Sequence, residues 1–168
     1  MKKIAVLFII AISVVSGCAR EQHNPELPEW WSGTYTFTAD FTLEGLAGSF
    51  CFTRYGPEEY MLEFLAPDSL AGMVITVQSG RVTLDYRGIT HEDTLVNLAR
   101  THPAAALVDL LSGIKKPVIA TAAKISGLTI YELEDGSKIT ASDTALVSID
   151  APVYGLTLTV TEFRLLTE

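Results

Sequence analysis

Apolar and polar residues alternate along the chain from Thr34, and this pattern predicts a half-buried strand. The same period of two recurs in four further segments. Glycine-containing turns join several of these segments, which predicts antiparallel hairpins. The segments are 34–43, 49–55, 60–65, 73–78 and 81–86. We therefore predict an antiparallel meander of five strands.

The middle of the chain changes to a helical period. Proline is tolerated in the first turn of a helix but disrupts its interior, so Pro103 divides this region. We predict two helices, 92–100 and 103–112, with Thr101 or His102 near the cap. The residues that carry the helical spacing are Leu95, Leu98, Ala99, Leu107, Leu110 and Leu111.

Strand patterns resume after the helices, and Asp135-Gly136 marks a turn. A change of parity between Val160 and Phe163 predicts a bulge in the last strand. The predicted strands are 124–134, 138–142, 145–150 and 154–166. The chain is therefore predicted to be mainly β, of the α+β class. Its curved antiparallel sheet carries the helices on its concave face, and such a thin cover can leave an apolar cavity.

The N-terminus has the pattern of a secretory leader. Lys2 and Lys3 precede the apolar run 4–15, and Val15-Ser16-Gly17-Cys18 resembles a lipobox, in which the cysteine is acylated. A membrane-spanning anchor is the alternative, but the run falls short of the roughly 20 residues that cross a bilayer. We predict a lipoprotein signal peptide over residues 1–17 and lipid attachment, for example by palmitate, at Cys18.

A polar segment with Pro25 and Pro28 follows the cysteine and suits an extended tether over residues 18–33. Trp30 and Trp31 mark its end. The pair could lie at the lipid interface or cap the core beside the first strand. Residues 34–168 then form one folded domain.

The net charge of −8 argues against nucleic acid as a partner. It also argues against a basic surface that would hold the domain to anionic lipid headgroups. Attachment to the membrane is therefore expected through the acyl chains, each buried methylene of which contributes about 0.8 kcal/mol.

No enzymatic constellation emerges from the sequence. The histidines His23, His91 and His102 lack metal-ligand spacing, so no metal site or cofactor is predicted. Ser112-Gly113-Ile114-Lys115 matches the Ser-x-x-Lys pattern of penicillin-binding enzymes, but no Lys-Thr-Gly follows. Cys51 has no intrachain partner if Cys18 is acylated, so we predict a small strand residue, with a reactive thiol as the alternative. We predict that the protein is not an enzyme.

Several short motifs resemble the outer-membrane lipoprotein receptor family LolB, within the LolA/LolB superfamily. They are a Gly-Ser-Phe strand at residues 46–52, a Tyr-centred strand at 59–64, a Pro-Leu-Gly-type loop at 67–72 and a Gly-Val-Thr-Leu-type strand at 80–84. The resemblance implies an incomplete β-barrel closed by a short helical lid. Its apolar cavity would accept the acyl chains of lipoproteins.

The resemblance also implies roles for individual residues. Arg54 corresponds to an arginine that holds the lid shut in the carrier LolA, although an exposed rim charge is the alternative. Leu70 matches an apolar loop residue that faces the membrane. The residues that could line an acyl cavity, or alternatively form an ordinary core, are Phe37, Phe41, Phe50, Phe52, Leu62, Phe64, Ile75, Leu84, Leu156 and Leu158.

Taken together, these features predict a membrane-anchored lipoprotein that binds acyl chains for lipoprotein or lipid transfer in the bacterial envelope. Lipoprotein or lipid would be its cargo, and a periplasmic carrier protein would be a partner. In a cell with two membranes we expect the outer membrane, facing the periplasm; otherwise we expect the outer face of the plasma membrane. The alternative is a LolA-like, non-catalytic scaffold for an envelope enzyme, such as a peptidoglycan-modifying one.

Overall fold

The computed structural model describes residues 26–94, 103–114 and 117–166. In these ranges the chain forms one antiparallel sheet of 11 strands and the helix α1. The elements are β1 (Tyr35–Leu43), β2 (Leu46–Gly56), β3 (Glu59–Ala66), β4 (Val74–Gln78), β5 (Arg81–Tyr86), β6 (Ile89–Thr94), α1 (Pro103–Gly113), β7 (Ile119–Ile125), β8 (Leu128–Leu133), β9 (Lys138–Ala141), β10 (Leu146–Ala151) and β11 (Leu156–Leu165). The predicted leader, Cys18 and the first part of the tether lie outside the described residues.

The strands lie side by side in the order β6-β5-β4-β3-β2-β1-β11-β10-β9-β8-β7. The sheet is curved and does not close into a barrel, so β6 and β7 are its open edges among the described residues. The predicted class, mainly β with a curved antiparallel sheet and a short helix, is therefore confirmed. The first and last strands meet at the centre, where β1 pairs with both β2 and β11.

Alternation in the sequence determines which face of each strand is buried. In β1 the residues that alternate from Tyr35 to Leu43 are buried, while the intervening threonines and Asp40 are half-buried or exposed. The same face continues across β2 and β3, where Phe37 lies opposite Phe52 and Phe50 lies opposite Phe64. The core therefore lies on the concave side, beneath α1.

The predicted bulge in the last strand is confirmed. Thr38 of β1 lies opposite Glu162, whereas the next residue, Ala39, lies opposite Val160. Thr161 is the extra residue of β11, and its hydroxyl donates to the carbonyl oxygen of Thr38 over 3.1 Å. An extra residue shifts the alternation by one position, which explains the change of parity in the sequence.

The prediction of a helix over residues 92–100 is wrong at its start, because residues 92–94 belong to β6. Arg87 and Gly88 have φ angles of 51° and 79°, as a two-residue hairpin turn requires, and the chain folds back onto β5. The meander therefore has six strands rather than five. Residues 95–102, including the predicted cap, lie outside the described residues.

The prediction of one strand over residues 124–134 is also wrong. Ser126 and Gly127 have φ angles of 52° and 82° and form another two-residue turn. This turn separates β7 from β8, which pair as a hairpin. Residues with strand propensity lie on both sides of the turn, Ile125 before it and Thr129 and Ile130 after it, so the pattern alone did not reveal the break.

The second strand begins earlier than predicted, at Leu46 rather than at residue 49. Gly48 lies within it, opposite Phe41. A Cβ atom at Gly48 would lie 2.4 Å from the carbonyl oxygen of Ala66 and 2.7 Å from the Phe41 ring. The strand needs glycine at position 48 because a side chain would not fit between Ala66 and Phe41.

The predicted helix over residues 103–112 is confirmed as α1 (Pro103–Gly113). Its proline stands at the N-terminal end, as a helix tolerates. Among the described residues, no helix combines the length and the hydrophobicity needed to cross a membrane.

Candidate functional site

The ten residues predicted to line a cavity come together on the concave face. Nine of them are at most 3% exposed, and Leu84 is half-buried. These residues are Phe37, Phe41, Phe50, Phe52, Leu62, Phe64, Ile75, Leu84, Leu156 and Leu158. They form one continuous apolar surface that strands β1 to β5 and β11 supply.

Aromatic rings on this surface pack against one another. The ring centroids of Phe37 and Phe52 lie 5.0 Å apart, those of Phe37 and Phe50 lie 6.0 Å apart, and those of Phe41 and Phe64 lie 6.0 Å apart. These separations are those of rings in contact. The structure therefore shows a concave face filled by its own side chains beneath the helix.

The helix α1 covers this surface with small and branched apolar residues. Ala104, Leu107, Val108 and Leu111 are at most 5% exposed and belong to the same core cluster. Their helical spacing places them on one side of α1, toward the sheet. The predicted helical cover is therefore present over residues 103–114.

Three aromatic side chains also make hydrogen bonds to α1 or to Ile114, the residue that follows it. Tyr60 of β3 shares a hydrogen bond with the Ser112 hydroxyl, and its hydroxyl donates to the Val108 carbonyl oxygen over 3.5 Å. Tyr154 donates to Asp109 Oδ2 over 2.9 Å. The Trp31 indole Nε1 donates to the carbonyl oxygen of Ile114 over 2.8 Å. We call these interactions the lid contacts.

Burial controls the ionisation of Tyr60. The pKa of its hydroxyl is raised to about 12, mainly because burial desolvates it; the hydrogen bond with Ser112 opposes this rise and the charge of Asp109 adds to it. The hydroxyl is therefore protonated at neutral pH and available as a donor. The neutral form keeps the lid contact intact over the physiological range.

Arg54 is buried on β2, at the rim of the concave face, and is 7% exposed. Its Nη1 donates to the Trp31 carbonyl oxygen over 2.6 Å, and its Nε donates to the carbonyl oxygen of Gly56 over 3.2 Å. The guanidinium carbon lies 5.8 Å from the centroid of the Tyr35 ring. Burial raises the pKa of Tyr35, although Arg54 acts in the opposite direction. Arg54 thus holds the residue that in turn holds α1, and its role as a latch remains a prediction.

The two tryptophans pack onto the core, which is one of the two locations left open by the sequence. Trp30 and Trp31 are 4% and 3% exposed, and their rings stack with centroids 5.2 Å apart. Both lie in a short 3-10 helix, Glu29–Ser32. Trp30 Nε1 donates to the Ser142 carbonyl oxygen over 3.2 Å, which joins the end of the predicted tether to the far half of the sheet.

Leu70 lies in the loop between β3 and β4. It is half-buried and packs against the edge of the core cluster. Its N–H donates to the Pro67 carbonyl oxygen over 2.8 Å, and Tyr86 donates to the Ser69 carbonyl oxygen over 2.6 Å, so the loop is held to β5. Leu65, at the end of β3, is 47% exposed. Contact of Leu70 with a membrane remains a prediction.

Two surface cavities lie away from the ten concave-face residues. One of about 370 Å³ lies at β4, β5 and β6 and is lined by Val82 and by polar residues that include Arg81 and Glu92. The other, of about 250 Å³, lies at the C-terminal end of α1. Leu110, Ile114 and Leu133 contribute apolar lining to the second.

Within the described ranges, no group of three or more His, Cys, Asp or Glu side chains could hold a metal ion. Cys51 is half-buried on the outer face of the sheet, with its sulfur 3.5 Å from the Thr36 hydroxyl oxygen. Ser112 bonds to Tyr60, and Lys115 of the Ser-x-x-Lys pattern lies outside the described residues.

Sequence reasoning did not identify the lid contacts. Tyr60 alternates in phase with Leu62 and Phe64, so its burial was foreseeable. A tyrosine at a buried position needs a partner for its hydroxyl, and this is a signal for a polar contact with the covering layer. Trp31 and Tyr154 lie in short 3-10 segments without periodicity, and the sequence therefore offered no comparable signal for them.

An unclosed antiparallel sheet with an apolar helix across its concave face is the architecture that the resemblance implied. No protein-family model matches the chain, and no curated protein matches it.

Solved structures provide the comparison. An uncharacterized conserved protein from Thermus thermophilus shares 14% identity with this chain at a TM-score of 0.52, over 82% of this chain and 81% of that one. A LolA superfamily protein from Nitrosomonas europaea shares 9% identity at a TM-score of 0.45, over 82% and 88%. A domain assigned to outer membrane lipoprotein sorting in Vibrio parahaemolyticus shares 11% identity at 0.44, over 83% and 88%. These likenesses concern the fold alone.

Proposed function

We propose that the protein is a non-catalytic, lipid-anchored protein of the bacterial envelope that binds acyl chains between the concave face and α1. The observation that carries this proposal is the layered arrangement of the site. An apolar helix covers an apolar aromatic surface, and a few hydrogen bonds from Tyr60, Tyr154 and Trp31 fasten it there.

Binding would begin with movement of α1 away from the sheet. Acyl methylenes would then replace the contacts that Leu107, Val108 and Leu111 make with the aromatic rings. Each methylene removed from water contributes about 0.8 kcal/mol, so a long acyl chain can offset the loss of the lid contacts. The filled concave face is then the closed state without cargo.

The predicted anchor would hold this domain near a bilayer. Acylated Cys18 would insert its chains in the membrane, and the tether would reach the two tryptophans at the domain. The cargo would be lipoprotein or lipid, received from a periplasmic carrier where one exists. The protein would be anchored to the periplasmic face of an outer membrane, or to the outer face of the plasma membrane in a cell with one membrane.

Leu70 would assist transfer at the membrane surface. A Leu70→Glu protein should deliver fewer acyl chains to vesicles while its thermal unfolding stays close to that of the unaltered protein. The charged side chain would be repelled from the apolar interior of the bilayer. Delivery at an unchanged rate would exclude this role for Leu70.

Lipid analysis of the purified domain tests acyl binding. The chain from residue 19 onward would be purified from a bacterial periplasm, and its bound lipid would be extracted and identified by mass spectrometry. We expect acyl lipids at a level well above that of an unrelated periplasmic protein purified in parallel. Repeated purification without lipid would contradict the proposal.

A second candidate function is a scaffold that holds an envelope enzyme. The ring-to-ring packing of the concave face favours it, because Phe50 and its neighbours already form a complete core without cargo. In that case the domain would retain its fold, carry no lipid and bind its enzyme through its outer surfaces. The lipid analysis separates the two functions.

A further inference from the structure

Within the described part of the chain, β7 is an open edge of the sheet, and it is exposed on both faces. Ile119 is half-buried, and every later residue of the strand is exposed, including Ile125 at 58%. The strand reads Ile-Ala-Thr-Ala-Ala-Lys-Ile, without proline and with one charged residue. Lys124, the charged residue, lies 3.4 Å from Asp143 Oδ1, so its charge is balanced within the same chain.

The opposite edge, β6, has a different composition. It carries His91, Glu92 and Asp93 in succession. Charged side chains on an edge strand are a usual protection against pairing with another chain. Self-pairing of β6 would also bring the acidic residues of two copies together, which is unfavourable. Of the two edges, β7 is thus the one suited to pair with a further strand.

The register of the β7–β8 hairpin shows which backbone groups face the open edge. Ile125 and Leu128 flank the two-residue turn and form a hydrogen-bonded pair. Since bonded and unbonded positions alternate in an antiparallel ladder, Ala123 is also bonded to β8. The N–H and C=O groups of Ala122 and Lys124 therefore point outward. A bulge between Ile119 and Thr121 ends the regular part of the strand.

We propose that β7 pairs antiparallel with β7 of a second copy of this chain, about a two-fold axis at Ala123. In this register Ala122 and Lys124 of each copy face Lys124 and Ala122 of the other, so the outward N–H and C=O groups of these residues find partners in both copies. Thr121 lies opposite Ile125 across the axis. The small Ala123 side chains meet at the centre without obstruction.

Charge and symmetry agree with this pairing. The two Lys124 residues lie diagonally across the axis, with their Cα atoms about 7–8 Å apart. Each has its own Asp143 partner. A two-fold pairing uses the same edge of both copies and closes the assembly at two. Pairing of β7 with β6 of another copy would leave an open edge at each end and continue as a chain.

The contact is a narrow one. The five regular residues of β7 span about 17 Å, at about 3.4 Å per residue. Pairing along a strip of this length buries less area than the roughly 1,200 Å² of a standard stable interface. We therefore infer a reversible dimer whose population rises with local concentration, as happens when molecules share one surface. This inference is independent of acyl binding.

Cysteine cross-linking of the full-length protein in intact bacterial cells tests the pairing. The experiment uses a Cys51→Ser background, with Ala123→Cys as the central variant. Residues opposite each other at an unbonded position have Cα atoms about 4.5 Å apart, within the range of a disulfide. Under a mild oxidant we expect a dimer band on a non-reducing gel for Ala123→Cys and no dimer for the background protein.

Matched variants test the register. In the proposed register the two Thr121 residues lie about 13 Å apart along the strand, so Thr121→Cys alone should not cross-link. The double variant Thr121→Cys, Ile125→Cys should cross-link, because these two positions lie opposite each other. Ala122→Pro, which removes an outward N–H that the native sheet does not use, should reduce the Ala123→Cys dimer at least fivefold. Glu92→Pro at the other edge should leave it unchanged. Failure of Ala123→Cys to dimerise, or equal cross-linking of Thr121→Cys or of Thr90→Cys on β6, would overturn the proposal.

Discussion

At the scale of single residues, Arg54 joins the strands to the N-terminal segment. Its guanidinium is buried, and no carboxylate of the described residues lies within 4 Å of it. Carbonyl oxygens of Trp31 and Gly56 and the Tyr35 ring surround it instead. A charge held in this way costs desolvation energy, so its hydrogen bonds must offset that cost while they keep Trp31 in place.

Replacement of Arg54 tests this role. Arg54→Ala should lower the free energy of unfolding by about 1.5–3 kcal/mol, the range for hydrogen bonds to a charged group. Trp30 and Trp31 are the two tryptophans of the chain, so fluorescence emission reports directly on this segment and should shift to longer wavelength. Urea unfolding measures the change in the free energy of unfolding. Arg81→Ala, at an exposed position on β5, is the control and should change stability by less than about 0.5 kcal/mol. Equal effects of the two substitutions would contradict the latch.

Individual residues were predictable where periodicity places them. The apolar phase from Phe37 to Phe41, continued by Phe50 and Phe52, gave the concave face directly. Arg54 follows Phe50 and Phe52 in the same alternation, which accounts for its burial. Its hydrogen-bond partner was not predictable, because Trp31 lies in a non-periodic segment and the sequence left its location open.

At the scale of elements, α1 is held by its apolar side and by the lid contacts. Tyr60 takes part in both the apolar packing and the lid contacts, since its ring is 1% exposed and its hydroxyl bonds to Ser112. The hydroxyl must stay protonated to remain in this apolar setting. The attachment of α1 to β3 therefore depends on pH in the alkaline range.

The raised pKa of Tyr60 predicts a loss of stability between about pH 10 and pH 12. Unfolded tyrosine releases its proton near pH 10.0, while folded Tyr60 holds it until about 12. In this window the unfolded state binds fewer protons, so the free energy of unfolding falls as the pH rises. Urea midpoints at pH 9 and pH 11 measure the fall, which Tyr60→Phe should reduce. Buried Tyr35, whose pKa is also raised, supplies a remaining part. An identical fall in Tyr60→Phe would contradict this assignment.

The elements that the sequence missed share one cause. Both β6 and the division between β7 and β8 depend on two-residue turns, at Arg87-Gly88 and Ser126-Gly127. The first residue of each turn is one that any periodic segment could contain, so only the glycine signals the turn. One strand beside each turn, β6 or β7, is an open edge of the described sheet with little burial, and burial is what produces clear alternation.

At the scale of the whole molecule, the curved sheet and the single described helix form two layers of unequal size. Eleven strands bend around a helix of 11 residues, and within the described ranges aromatic rings pack against one another on the concave face of the sheet. The class and curvature followed from one-sided alternation. The filling of the concave face did not, because ring packing depends on three-dimensional neighbours such as Phe41 and Phe64.

This two-layer arrangement gives the two candidate functions different requirements. A scaffold needs the packed core to stay closed. An acyl carrier needs α1 to leave the concave face and return to it. The lid contacts distinguish the two, because loosening them should speed acyl entry in a carrier and should only destabilise a scaffold.

The most direct test of acyl binding is the rate at which the domain from residue 19 onward takes up a fluorescent fatty acid. We compare the unaltered domain with Tyr60→Phe, which loses a lid contact, and with Tyr131→Phe, a buried tyrosine whose hydroxyl donates to the Glu26 carbonyl oxygen instead. We predict saturable uptake that Tyr60→Phe accelerates about fivefold, as loss of about 1 kcal/mol of hydrogen bonding would allow, and that Tyr131→Phe leaves unchanged. No uptake by any of the three proteins would contradict the account.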